Sequence, residues 1–107
     1  MTYTKQMPTS FYKKLDSISL AVIDLVDYPD KGLIITRINV PRKHRGKGIA
    51  RELMKECLEE ADNTGTNLWL EIQPSDGMSF DELKAWYHRL GFKGSSTGVL
   101  WRKAQKK

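Results

Sequence analysis

The chain is poor in several residue types and patterns, and each shortage excludes a class of protein. It has one cysteine, Cys57, in 107 residues. An internal disulfide is therefore impossible, and no Cys/His spacing suggests a zinc or other metal site. A reducing, cytoplasmic setting is the expectation. No apolar run approaches the roughly 20 residues needed to cross a bilayer, which argues against a membrane protein. The opening stretch, MTYTKQMPTSFYKKLDS, lacks the apolar core of an export signal. There are no internal repeats and no linker, so one domain over 1–107 is expected, with a core of about 18–102 and a basic tail at 103–107. Acidic residues are the minority, 13 against 18 lysines and arginines, for a net charge of +5. That balance points to anionic partners, either nucleic acid or a phosphorylated small molecule. Part of the excess lies in Arg102-Lys103-Ala104-Gln105-Lys106-Lys107, which reads as a solubilising end.

The remaining residues alternate between strand and helix patterns. After a polar N-terminal stretch, Ile18 to Tyr28 is rich in β-branched and apolar residues and reads as a strand. Pro29-Asp30-Lys31-Gly32 has turn chemistry, and Leu33 to Val40 follows as a second, antiparallel strand. From Lys47 to Asp62, Ile49, Leu53, Cys57, Leu58 and Ala61 recur at helical spacing, with charged residues between them. Asn63-Thr64-Gly65 supplies the stop. Asn67 to Gln73 is a third strand, ended by Pro74. Ser79 and Glu82 have capping-box spacing, so a second helix begins there and runs to about Leu90, with Gly91 ending it. Phe92-Lys93 and Val99 to Arg102 read as two short strands joined through Gly94 to Gly98. The implied class is α/β (α+β), a mixed sheet with two main helices packed on it.

The segment between the second strand and the first helix is the most informative. Arg42, Lys43, Arg45 and Lys47 crowd together there, with Gly46 and Gly48 among them. A strand, a glycine turn and a helix N-terminus form a general anion holder, since the first helical amides are unpaired and the dipole favours negative charge. Two phosphate signatures fail: there is no Gly-Lys-Ser/Thr of a Walker loop, and Arg51 stands where a dinucleotide fingerprint needs its third glycine. Used only for a tight turn, the two glycines would leave the nearby charges merely solvated.

Arg45-Gly46-Lys47-Gly48-Ile49-Ala50 reads as R-x-x-G-x-A and resembles the acyl-CoA signature of the GNAT superfamily of N-acetyltransferases. Ala85 to Phe92, AWYHRLGF, looks like that family's helix ending in tyrosine, three residues, then Gly-Phe. The order of elements also matches over about four-fifths of the chain. The resemblance implies a mostly antiparallel GNAT-like sheet and an acetyl-CoA-dependent transferase that acetylates an amine, such as a protein lysine. It implies that backbone N–H groups of Arg45, Gly46, Lys47, Gly48, Ile49 and Ala50 hold the pyrophosphate, with Lys43, Arg45 or Lys47 adding charge. Ile38, Asn39 and Val40 would pair with the pantetheine arm like an added strand. A backbone N–H in that region would polarise the thioester carbonyl. Tyr87 would be the general acid, although it shares an apolar helical stripe with Phe80, Leu83 and Leu90 and also reads as a core residue.

For the general base, Glu71, Asp24 and His88 are candidates, as is a water chain. Glu71 is favoured, and His88 lies about 100° round the helix from Tyr87. Cys57 and the tryptophans Trp69, Trp86 and Trp101 read as structural. Two departures from the family stand out. The two helices that usually lie between its first strands are reduced or absent, which leaves an acceptor side open to a macromolecule or to completion by a second copy in a homodimer. The segment Pro74 to Ser79 lacks the asparagine that often contacts CoA, so Ser79 is expected only to cap its helix. Small phage- and plasmid-borne members, including a type that inactivates a CRISPR effector by acetylation, look similar in layout. Two other readings remain beside the enzyme: a non-catalytic GNAT-fold module that binds CoA or a partner, and a small basic nucleic-acid binder. The last lacks an interleaved aromatic platform.

Overall fold

The computed structural model describes residues 6–74, 78–94 and 97–105. The chain runs through β1 (Ser10–Lys14), β2 (Leu20–Tyr28), β3 (Gly32–Asn39), a 3-10 turn at Arg42–His44, α1 (Ile49–Thr64), β4 (Leu68–Glu71), α2 (Phe80–Arg89), β5 (Lys93–Gly94) and β6 (Val99–Arg102). The six strands form one sheet in the order β1-β2-β3-β4-β6-β5. Every neighbouring pair is antiparallel except β3 with β4. That parallel pair needs a crossover, and α1 supplies it. The mixed, mostly antiparallel sheet with two helices is the fold class expected from sequence, and no helix lies between the first two strands.

The start of the chain differs from the sequence reading. Ser10–Lys14, taken there as part of a polar stretch, is an edge strand paired with β2 from Ser10↔Asp24 to Lys14↔Leu20. Only Phe11 of its five residues is buried, so it carries almost no local strand signal. Its pairing with β2 and the burial of Phe11 make it a strand, and Met7 is buried in the same core. Ile18, expected to open the next strand, is 88% exposed in the connecting loop. There Asp16 Oδ1 accepts hydrogen bonds from the Ile18 and Ser19 amides, both at 2.9 Å.

Alternation decides which face packs. Ala21, Ile23 and Leu25 of β2, Ile35 of β3, Leu68 and Leu70 of β4 and Leu100 of β6 all point to one side. They meet Leu53, Met54, Cys57 and Ala61 of α1 and Leu83 and Tyr87 of α2 in one core. Each leucine, isoleucine or methionine among them contributes roughly 1.5–3 kcal/mol through burial. Cys57 is fully buried, and burial pushes its thiol up to about 12, which suits a packing role. The capping box at Ser79 and Glu82 is formed in both directions. Gly65, in the left-handed region, ends α1.

Arg102 does not belong to a loose basic tail. It is 4% exposed and makes a two-pronged contact with Asp62 of α1, at 2.8 and 3.1 Å. Its Nε donates to the Leu90 carbonyl at 3.0 Å. One guanidinium thereby ties β6 to the ends of both helices.

Two irregularities mark how β3 meets its neighbours, a tight approach at its start and a bulge before the opening. Gly32 begins β3 so close to the next strand that a Cβ there would sit 2.1 Å from the Asn67 carbonyl oxygen. Glycine is required at that approach. Further along, Asp24 pairs with Arg37 but Leu25 pairs with Ile35, so Thr36 is an extra residue in β3. Such a bulge bends and twists its strand. The pairing of β3 with β4 covers only Leu33 to Ile35; beyond Thr36, β3 stays with β2 and leaves β4.

Candidate active site

The separation of β3 from β4 opens a groove of about 850 Å³. Its walls are the outer half of β3, the end of β4, the glycine turn with the start of α1, and one side of α2. Arg37, Ile38 and Asn39 have no β4 partner, so the edge of β3 that faces away from β2 carries strand-type backbone groups along the groove.

At the mouth, Gly46 and Gly48 have φ of 81° and 77°. Side-chain-bearing residues are strained in this left-handed region. A Cβ at either position would meet nothing within 4 Å, so the turn opens onto free space. Gly48 is also the N-cap of α1 and offers no side-chain cap to the first helical amides. Those amides and the positive end of the helix dipole face the groove, an arrangement suited to an anion. The glycines are needed for the backbone conformation, and the open space above them gives that conformation its use.

Of the residues singled out by sequence, Ile38, Asn39, Val40, Arg45, Gly46, Gly48, Ile49 and Ala50 line the groove together with Glu71 and Tyr87. Arg45 is drawn back onto the strand end, its Nε donating to the Val40 carbonyl at 2.8 Å. Lys43 and Lys47 are not among the lining residues. The Lys43 ammonium lies 3.1 Å from Asp16 instead. Asp24 is held by Arg37 at 2.9 Å and Ser10 at 3.2 Å, while His88 is exposed and away from the groove.

The Tyr87 ring is buried, tilted against Trp86 at 5.0 Å and edge-on to Phe92 at 5.8 Å. Desolvation pushes its phenol up to about 12. No buried side-chain oxygen or nitrogen among the described residues lacks a partner. Tyr87 lines the groove. Glu71 is the last residue of β4 and is exposed.

Several groove residues escaped the sequence reading. Arg51 in the first turn of α1 and Arg89 in the last turn of α2 bring positive charge to the walls, and Trp86, taken as structural, forms part of them. Arg51 lies three residues after Gly48, Arg89 two after Tyr87 and Trp86 one before it, spacings that any helical residue could have, so no motif marks them. Asp16 was also missed. Its carboxylate receives the Ile18 and Ser19 amides, His44 at 2.8 Å and Lys43, contacts that hold it well below the usual carboxylate range. The hairpin between β1 and β2 thereby clamps the 3-10 turn that leads into the glycine turn. Asp16 and His44 are 28 residues apart, and nothing local predicts their meeting.

The sheet opens at its one parallel pair, with an uncapped, glycine-framed helix start at the mouth, an arrangement suited to holding an anion beside an unpaired strand edge. Residues 9–94 match the family model of the acetyltransferase (GNAT) domain, and the chain belongs to the GNAT acetyltransferase family. Solved structures share the fold. The anti-CRISPR protein AcrVA5 has a TM-score of 0.61 at 17% identity, over 88% of this chain and 98% of its own. A putative N-acetyltransferase from Lactobacillus plantarum has a TM-score of 0.60 at 14% identity, over 79% and 60%. YhbS, a GNAT family N-acetyltransferase from Escherichia coli in complex with CoA, has a TM-score of 0.56 at 20% identity, over 82% and 52%. The last two are longer proteins, of which this chain spans little more than half. No curated protein matches the chain in sequence.

Proposed function

We propose that the protein is an acetyl-CoA-dependent N-acetyltransferase that acetylates an amine, with a protein lysine as the acceptor class. The observation that carries this reading is the left-handed Gly46–Gly48 turn opening into free space where β3 leaves β4. The donor's pyrophosphate fits the amides of this turn and of the α1 start, flanked by Arg45 and Arg51. The unpaired edge at Ile38, Asn39 and Val40 suits an extended arm bearing amides of its own, held as a further strand would be. When bound, acetyl-CoA supplies the activated acetyl group as a thioester.

Two side chains manage the protons. The Glu71 carboxylate, exposed at the end of β4, accepts the proton that the attacking amine loses. The Tyr87 phenol gives one to the departing sulfur. With the phenol near 12 and a free thiol near 8.5, that transfer is uphill by roughly 5 kcal/mol. Donation therefore accompanies carbon–sulfur cleavage, when charge on sulfur is greatest, and the position of the hydroxyl matters more than its acidity.

Calorimetric titration with acetyl-CoA tests the reading, with Gly46→Glu as the control. One saturable site is expected, weakened roughly tenfold or more, about 1.4 kcal/mol, in the variant. Absence of binding to the unaltered protein at millimolar acetyl-CoA would overturn it. Binding without turnover on any amine would instead favour the CoA-binding module.

A further inference from the structure

Both helices pack on the same side of the sheet, where Phe11, Ile23, Leu25, Leu68, Leu70 and Leu100 point. The other face has no helix over it among the described residues. Five of the seven exposed large apolar side chains lie on that face: Tyr12, Leu20, Val26, Val99 and Trp101. The strand registers organise part of it into a row. Val26 pairs with Ile34, Ile34 with Trp69, and Trp69 with Trp101. At about 4.8 Å per strand this apolar row runs about 14 Å across β2, β3, β4 and β6.

The two flanks of the row differ in charge. On the side towards the groove lie Asp24, Arg37 and Glu71. Asp24 and Arg37 satisfy each other at 2.9 Å, which leaves Glu71 as the unmatched carboxylate of that flank. On the other side, Lys31 folds back over the face, its ammonium 5.3 Å from the Trp69 ring and 6.0 Å from the Tyr28 ring.

We propose that a second copy of this chain docks on this face, about a two-fold axis lying along the Val26–Ile34–Trp69–Trp101 row. Such an axis lays each row on its own image and exchanges the flanks. The Lys31 ammonium of each copy then comes against the Glu71 carboxylate of the other, a contact made twice, as an isologous interface requires. The extent also suits a dimer. The 32 strand residues, at about 3.3 Å by 4.8 Å each, outline roughly 500 Å², an extent that suits a weak, concentration-dependent dimer rather than an obligate one.

The arrangement has a consequence for the site. Arg37, Asn39 and Glu71 belong both to this face and to the groove lining. The second copy therefore walls the groove on its outer side, and an acceptor amine reaches Glu71 past Lys31 of the partner subunit. This consequence rests on the acetyltransferase reading, whereas the dimer itself does not.

The test reads mass alone, so it is independent of any activity. Sedimentation of the full chain from low micromolar to several hundred micromolar should show a monomer passing to a dimer. Trp101→Glu, Lys31→Glu and Glu71→Lys should each shift the protein to monomer while its circular dichroism stays native. The double charge swap, Lys31→Glu with Glu71→Lys, should restore the dimer. A monomer at every concentration would overturn the proposal and leave the face to another kind of partner. So would a dimer that survives Trp101→Glu, or a folded double swap that stays monomeric.

Discussion

Tyr87 lies between Trp86 and Phe92 with its ring buried, so packing is one role of this side chain and the acid step proposed for it is a second. The residue belongs to the core and also lines the groove. Tyr87→Phe separates the two, because it keeps the aromatic contacts and removes only the oxygen. We expect kcat to fall by about 10²-fold, the scale of a single general-acid contribution, with acetyl-CoA affinity measured by titration unchanged. An unchanged kcat would show that Tyr87 serves packing alone. Gly46 and Gly48 are constrained in a similar way, since their positive φ favours glycine and the turn they form opens onto free space. Sequence marked these residues because glycine spacing and a tyrosine before Gly-Phe are local patterns. It gave no mark to Asp16, whose four contacts gather groups from two turns.

Elements are joined at a few points, and the Asp62–Arg102 contact is the one most deeply buried. Asp62 also accepts the Gln105 amide at 2.9 Å, so the last turn of α1 holds both β6 and the residues after it. Asp62→Ala would leave the Arg102 charge buried without its main partner. We expect a loss of about 3–5 kcal/mol in urea unfolding, and recovery of much of it when Arg102→Met is added, because the buried charge is then gone. A loss below about 1 kcal/mol would mean that water reaches the guanidinium. Both helices were legible in sequence, α1 through its apolar period and α2 through the Ser79–Glu82 capping box. β1 was not, since one buried Phe11 in five residues gives neither alternation nor an apolar run. Its existence depends on β2 lying beside it.

At the scale of the molecule, titration couples the site to stability. Cys57 and Tyr87 both remain protonated to about 12 when folded, whereas in an unfolded chain they ionise near 8.5 and 10. Between those values the unfolded chain binds fewer protons than the folded one, so stability falls as pH rises. Thermal melts should hold steady below about pH 8 and decline progressively towards pH 11, with Cys57→Ala removing the earlier part of the decline. A Tm independent of pH across this range would show that both groups are better solvated than their burial implies. None of the helices in the described residues is long and apolar enough to cross a membrane.

Sequence by itself determined the elements whose information is local: the period of α1, the cap of α2, the turn at Pro29 to Gly32, and the glycine and tyrosine motifs that mark the family. Tertiary structure alone decided how these meet. It made an edge strand of Ser10–Lys14 and buried Arg102 against Asp62. It drew Lys43 to Asp16 and put Arg51 and Arg89 beside the groove. The groove opens where β3 leaves β4, next to Thr36, the extra residue in the pairing of β3 with β2. Local patterns follow from backbone preference and periodic burial, which act over a few residues. Charge pairing, desolvation and strand separation depend on which distant groups share a space, and only the folded chain brings those groups together.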